Sequence, residues 1–195
     1  MVNAIDVWHG EHMRFARLLD FFERQMAAFQ LGERPNYELM RDVVHYLHHF
    51  ADVYHHPREN VVFTRLVGLD PGLHLEINRL LQEHRVIGAA GEVLLKYLTD
   101  ILEDAVIERV KVEAAAATYL VYYRHHLAVE ENDVLPRAAR LLTPEDWAAV
   151  AAAGPTGSDP LFGDDVGARY RDLREQIRRE AEGRCETCTG PSARA

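Results

Sequence analysis

YLVYYRHHLAVEENDVLP, residues 119–136, decides how this chain is read. The run reads as helix and sets His126 four residues before Glu130. Positions i and i+4 of a helix lie one above the other on the same face. An imidazole and a carboxylate stacked in this way can grip one metal ion, or one ion each of a close pair. Upstream, YHHPRENVVF (residues 54–63) repeats the device, with His55 four residues before Glu59. Two single histidines, His12 and His84, each follow a glutamate, Glu11 and Glu83. Two pairs and two single histidines build a dinuclear site in a helical bundle.

The spacing makes the repeat quantitative. His12 and His55 are 43 positions apart, His84 and His126 are 42 apart. The turn signals LGERPN (31–36) and LDPG (69–72) fall midway between His12 and His55 and between His55 and His84. Antiparallel helices rise ~1.5 Å per residue, so equal arms bring all four histidines to one level. The same rule places a turn at 104–108, where no Gly or Pro marks one.

Apolar positions recur at helical spacing along residues 3–30, from Ile5 and Trp8 to Met26 and Phe29. A second helix, capped by Asn36, runs to about His56, meets Pro57 and continues to Gly68. Proline lacks the amide hydrogen and crowds the preceding turn, so a kink or widened turn is expected beside the ligands. The third helix covers about 71–103, the fourth about 109–142. Thr143-Pro144 opens a short extra helix. A loop rich in Gly and Pro leads to a polar tail helix at about 165–182, and the end, GRCETCTGPSARA, reads as disordered. The tail helix carries Val166, Tyr170, Leu173 and Ile177 at helical spacing, to pack on the bundle or on a partner chain. No strand pattern appears. The expectation is all-α: an antiparallel up-down-up-down four-helix bundle in residues 1–153, with the loop, tail helix and disordered end in 154–195.

A net charge of −9 argues against a nucleic-acid binder. No apolar run approaches the ~18–20 residues of a membrane span. The start, MVNAIDVWHGEHM, has no basic region followed by an apolar block, so no signal peptide is expected. Cys185 and Cys188 sit together in the tail and cannot staple the fold, which fits a reducing cytoplasm. The chain has 11 histidines, clustered at 45–56 and 125–126.

These residues resemble the hemerythrin family in its HHE cation-binding branch. The resemblance covers about residues 3–142 and rests on Glu11-His12, on His55 and Glu59 within HHPREN, on Glu83-His84, and on His126 and Glu130 within RHHLAVEENDVLP. It implies a non-haem di-iron centre in an antiparallel four-helix bundle. His12, His55, His84 and His126 would be terminal ligands, and Glu59 and Glu130 would bridge the ions. The oxygen-carrying members use a fifth histidine on the third helix, where this chain has Leu80 and Gly88 one turn either side of His84. The set of four His and two Glu therefore points away from simple oxygen carriage. It points to binding or reacting with oxygen, peroxide or nitric oxide, in sensing, detoxification, or iron storage and repair.

The mixed nitrogen and carboxylate set suits two Fe ions, with Zn or Mn as substitutes. Two other readings remain: a zinc- or iron-stabilised structural bundle without redox chemistry, and a di-iron oxidase acting on an organic substrate. A catalytic residue is not assigned. The i+4 rule favours His126 over His125 and His55 over His56. It leaves His125 to Glu130 at i+5, His56 to Glu59 at i+3, and His9 as a fifth ligand open. The expected partner is a small diatomic or peroxide ligand, with no nucleic acid and no membrane, and a homodimer is compatible with the sequence.

Overall fold

The computed structural model describes residues 4–153 and 159–188. All regular elements among them are helical. The chain divides into two units, residues 1–156 and 157–195.

The first unit begins with α1, Ala4–Gln30. Gly32 ends it: at φ 78° it takes the left-handed conformation, which costs a residue without Cβ nothing. Its amide donates to Phe29 O and that of Glu33 to Ala28 O, the paired bonds of a Schellman cap. Asn36 caps α2, Tyr37–Phe50, accepting from the Leu39 amide. A π-helical turn, Ala51–His55, follows and leads into α3, His56–Leu69. This is the widened turn expected at Pro57. Pro57 cannot donate to the carbonyl four residues back, and the His56 amide reaches five back to Ala51 O. After a 3-10 turn at Pro71–Leu73, α4 spans His74–Leu102.

The unmarked turn falls between α4 and α5, Arg109–Val129. Asp104 supplies the left-handed residue, at φ 62°, and Ala105 N donates to Asp100 O to close a second Schellman cap. Aspartate is among the few non-glycine residues that tolerate this conformation. A second π turn, Glu130–Val134, precedes Pro136, and α6, Leu135–Leu141, continues from it. Again the residue before the proline bonds five back, Leu135 N to Glu130 O. Thr143 caps α7, Pro144–Ala153, by exchanging hydrogen bonds with Asp146.

α1 packs on α2 and α5, α4 packs on α2 and α5, and α3 packs on α4, α6 and α7. Gly91 of α4 lets three helices approach: a Cβ there would meet the Tyr119 ring at 3.0 Å and His48 Nδ1 at 3.5 Å. One apolar layer gathers Trp8, Phe63, Leu66, Leu80, Leu135 and their neighbours. Phe15, Phe22, Met40, Leu47, Tyr119 and Tyr123 are also fully buried.

In the second unit, Asp159 accepts from the amides of Leu161 and Phe162 and so makes a turn. A 3-10 turn at Ala168–Tyr170 then leads into α8, Arg171–Cys188. The tail helix thus starts and ends later than its sequence pattern indicates. The disorder expected for GRCETCTGPSARA falls partly outside the described residues, and its first part continues α8 to Cys188. The side chains of Cys185 and Cys188 lie outside the described residues. Among the described residues no helix is long and apolar enough to cross a membrane.

Candidate metal centre

Among the described residues, the buried polar and charged side chains are Glu11, His12, Asp42, His55, His56, Glu59, Glu83, His126 and Glu130. All but Asp42, which holds Arg41, gather in one place. α1 brings Glu11 and His12, the second arm brings His55, His56 and Glu59, α4 brings Glu83 and His84, and α5 with its π turn brings His126 and Glu130. Burying several carboxylates and imidazoles together is costly unless each finds a partner of opposite charge.

The imidazoles converge in pairs. His12 Nε2 lies 2.9 Å from His55 Nε2, and His84 Nε2 lies 3.0 Å from His126 Nε2. Glu59 stands between the pairs. Its Oε1 is 2.6 Å from His55 Nε2 and 3.4 Å from His12 Nε2, and its Oε2 is 3.3 Å from His84 Nε2. Glu130 also faces both pairs, its Oε2 3.5 Å from His12 Nε2 and 3.3 Å from His126 Nε2. Two groups could therefore hold a metal ion: His12, His55, Glu59 and Glu130; and His56, Glu59, His84 and His126. The ligand atoms of each group lie within 4.8 Å of one another, and Glu59 belongs to both.

Three of the four oxygens of Glu59 and Glu130 lack a hydrogen-bond donor. Glu59 Oε2 and both oxygens of Glu130 are buried without a hydrogen-bond partner, although imidazole nitrogens lie 3.3–3.5 Å away. Buried carboxylate oxygens left without a donor beside converging imidazole nitrogens are disposed as ligands are around a cation.

Each end of the centre has an outer support. His55 Nδ1 donates to Glu11 Oε2 at 2.6 Å, and Arg58 Nη2 donates to both Glu11 oxygens at 2.8 and 3.0 Å. His12 Nδ1 donates to Glu131 Oε1 at 2.6 Å. A carboxylate on Nδ1–H fixes the tautomer and turns the Nε2 lone pair inward. Glu83 takes the corresponding place beside His126, more loosely, with Oε2 3.6 Å from Nδ1. It accepts from Arg79 Nε at 3.1 Å and lies 3.0 Å from His125 Nδ1. The glutamate before His12 thus serves His55, and the glutamate before His84 faces His126. The repeated Glu-His doublets were the signal for these carboxylates, but the cross-helix pairing is not visible in the spacing. Trp8 and Phe15 pack on the His55 ring, at centroid distances of 5.8 and 5.0 Å, and Phe63 stacks on His84 at 5.9 Å.

Without a cation, protons take up the charge. Burial alone would lower the His12 pKa, but Glu131, Glu59 and Glu130 overcome it and push His12 up to about 10. Burial likewise opposes His126, and Glu130, Glu83 and Glu59 push it up to about 10. His55 is raised against its burial by Glu59 and Glu11. Burial would raise the Glu59 carboxyl, but His55, His12 and His84 hold it well below its ordinary range. Two imidazoliums cannot hydrogen-bond each other across His12 and His55, because both nitrogens would be donors. A cation between two inward lone pairs removes that conflict.

All six residues singled out by spacing, His12, His55, Glu59, His84, His126 and Glu130, meet here. His125 does not join them. It is partly exposed, and its Nε2 lies 3.1 Å from Arg79 Nη2. His9 is exposed and pairs with Glu131 at 2.8 Å. His45 and His49 stack on each other, with centroids 5.8 Å apart. His56 is the residue the i+4 rule set aside and the structure places inside.

Comparison with protein-family models matches residues 3–138 to the hemerythrin HHE cation-binding domain. Neither the curated proteins nor the solved structures return a match.

Proposed function

Because the chain belongs to the hemerythrin family of HHE cation-binding domains, we propose that it holds two iron ions and binds or reacts with a small oxidant: oxygen, peroxide or nitric oxide. His12 and His55 hold one ion, His84 and His126 the other, and Glu59 and Glu130 bridge them. The frame is the antiparallel four-helix bundle of α1, the α2–α3 arm, α4 and α5. The packing of α1 and α4 each on both α2 and α5 supports it.

The observation that carries this reading is the pair of nitrogen–nitrogen distances, 2.9 and 3.0 Å, with Glu59 between them. Imidazole nitrogens this close, with carboxylate oxygens beside them, make a mixed nitrogen and oxygen donor set, which suits iron or manganese. Bound there, a ferrous pair supplies electrons and open coordination positions for a small ligand. The chain's own part is to aim and shield. Glu11 and Glu131 keep the Nδ1 protons of His55 and His12 in place, and Trp8, Phe15 and Phe63 fill the space beside the rings with apolar surface. Such crowding suits a diatomic or peroxide ligand better than an organic substrate.

The test is anaerobic loading with ferrous iron, metal quantitation, and optical spectra before and after air. Two irons per chain and near-ultraviolet charge-transfer bands that grow on exposure to air support the proposal. A colourless protein that prefers zinc to iron contradicts it.

A further inference from the structure

We propose that Trp8 and Trp147 form an electron relay from the protein surface to the metal centre, through which a one-electron donor in solution reduces peroxide at that centre. This rests on the dinuclear iron reading above and adds a route and a donor class to it. The chain has two tryptophans, and the fold sets them in contact. The Trp8 ring, on α1 and 3% exposed, stands 5.8 Å from the His55 ring between centroids. The Trp147 ring stands 6.0 Å from that of Trp8, edge to face at 84°, and is only partly buried. Centroid separations of about 4.5–7 Å are those of aromatic rings in contact. Three rings therefore run in contact from a ligand position to the surface.

The second indole is placed by an element of its own. Trp147 belongs to α7, which lies beyond residues 3–138, the part of the chain that matches the cation-binding domain. The Thr143 cap starts this helix, and Arg65 of α3 holds Asp146 at 3.2 Å. Val150 packs into the same apolar layer as Trp8. These contacts fix Trp147 against Trp8. The route through Phe15, which stands 5.0 Å from the His55 ring, is poorer. It leads to Tyr123 at 6.3 Å, which is buried, or through Phe50 at 6.1 Å to Tyr54. Either way an electron crosses a benzene ring, which is far harder to oxidise than an indole.

One hydrogen peroxide takes two electrons and two protons to become two waters, and its O–O bond breaks. A ferrous pair supplies both electrons once and ends ferric. For each later peroxide the electrons come singly from Trp147 through Trp8. Trp147 loses an electron inward and its N–H proton to water, leaving a neutral indolyl radical. Ascorbate or a thiol at the surface returns one electron and one proton and becomes a radical itself. Two such rounds consume one peroxide and two donor molecules and leave both irons ferric. Trp8, shut away from water, keeps its proton and only passes the electron.

The experiment adds hydrogen peroxide, without a donor, to the iron-loaded, air-oxidised full chain, with and without ring-deuterated tryptophan. Freeze-quenched electron paramagnetic resonance and peptide mass mapping are the readouts, after metal quantitation. Fewer than two irons per wild-type chain overturns the relay together with the dinuclear reading. With two irons bound, the expected result is an organic radical whose lines narrow on deuteration, and oxygen added at Trp147. Ascorbate should abolish both. Trp147→Phe keeps a ring in the apolar layer and should retain two irons but lose the radical; Trp147→Tyr should restore one with a tyrosyl line shape. Two irons with no radical, a radical on a native tyrosine, oxygen confined to Trp8, or an unchanged radical in Trp147→Phe overturns the relay and leaves the dinuclear reading standing. Should circular dichroism show Trp147→Phe unfolded, the wild-type spectrum and peptide map decide by the same criteria.

Discussion

Metal affinity should climb steeply with pH, because in the metal-free protein protons occupy the ligands. His12 and His126 are each pushed up to about 10. From pH 7 to 9 both imidazoles therefore carry a proton on nearly every molecule. Each must surrender one to present a lone pair. Two protons released give about a hundredfold gain in overall affinity per pH unit, or about 2.7 kcal/mol, and the gain levels off near pH 10. The stability of the metal-free fold should move the other way. A raised histidine pKa contributes stability that is complete below about 6.5 and is lost as pH rises through about 10. The depressed Glu59 contributes stability that is complete above about 4.5 and is lost as pH falls below that. Between pH 6.5 and 9 the melting temperature of the metal-free protein should fall, while that of the protein at fixed total zinc rises. Chelator competition at pH 7, 7.5, 8 and 8.5 measures the slope, and calorimetry in buffers of different ionisation heat counts the protons. An affinity that does not change with pH, with no proton release, would refute the reasoning: the imidazoles would already be neutral in the closed site.

Four further outcomes follow from the same contacts. Glu11→Gln replaces the charged acceptor of His55 Nδ1–H by a neutral amide and should weaken metal binding about 10- to 100-fold without unfolding the chain, as read by metal titration and circular dichroism. His126→Ala should lose metal and His125→Ala should keep it, because only His126 faces Glu130; equal losses would mean that the wrong face was chosen. Phe63→Ala removes a ring with 1% exposure from the apolar layer and should cost about 3–5 kcal/mol in denaturant unfolding. Removing residues 157–195 should leave metal stoichiometry unchanged, since every proposed ligand lies in the first unit.

Much of the centre could be read before the structure, and the reasons are particular. Equal arms from His84 and His126 located a turn with neither Gly nor Pro, and there Asp104 takes the left-handed role that Gly32 plays elsewhere. Pro57 announced the widened turn before α3. Its counterpart before Pro136 was not foreseen, because that proline stands six positions beyond Glu130 and the spacing of His126 and Glu130 is undisturbed. The i+4 rule distinguished His126 from His125 because Glu130 lies beyond only one of them. It chose His55 and left His56 open, because Glu59 lies between both histidines and i+3 and i+4 both reach it; the structure buries both. Glu11, Glu83 and Glu131 were visible as residues but not as partners, since their bonds cross from one helix to another and depend on packing rather than on period.

Glu59 should join two metal ions in one chain. The direct measurement is iron stoichiometry of the anaerobically loaded full-length protein, taken with its electron paramagnetic resonance after one-electron oxidation, for wild type and Glu59→Ala. Two irons per wild-type chain are expected, with a mixed-valent signal of average g below 2, as antiferromagnetic coupling through a bridge requires, and both should be lost in the variant. One iron per chain, or two that show no coupling, would contradict it.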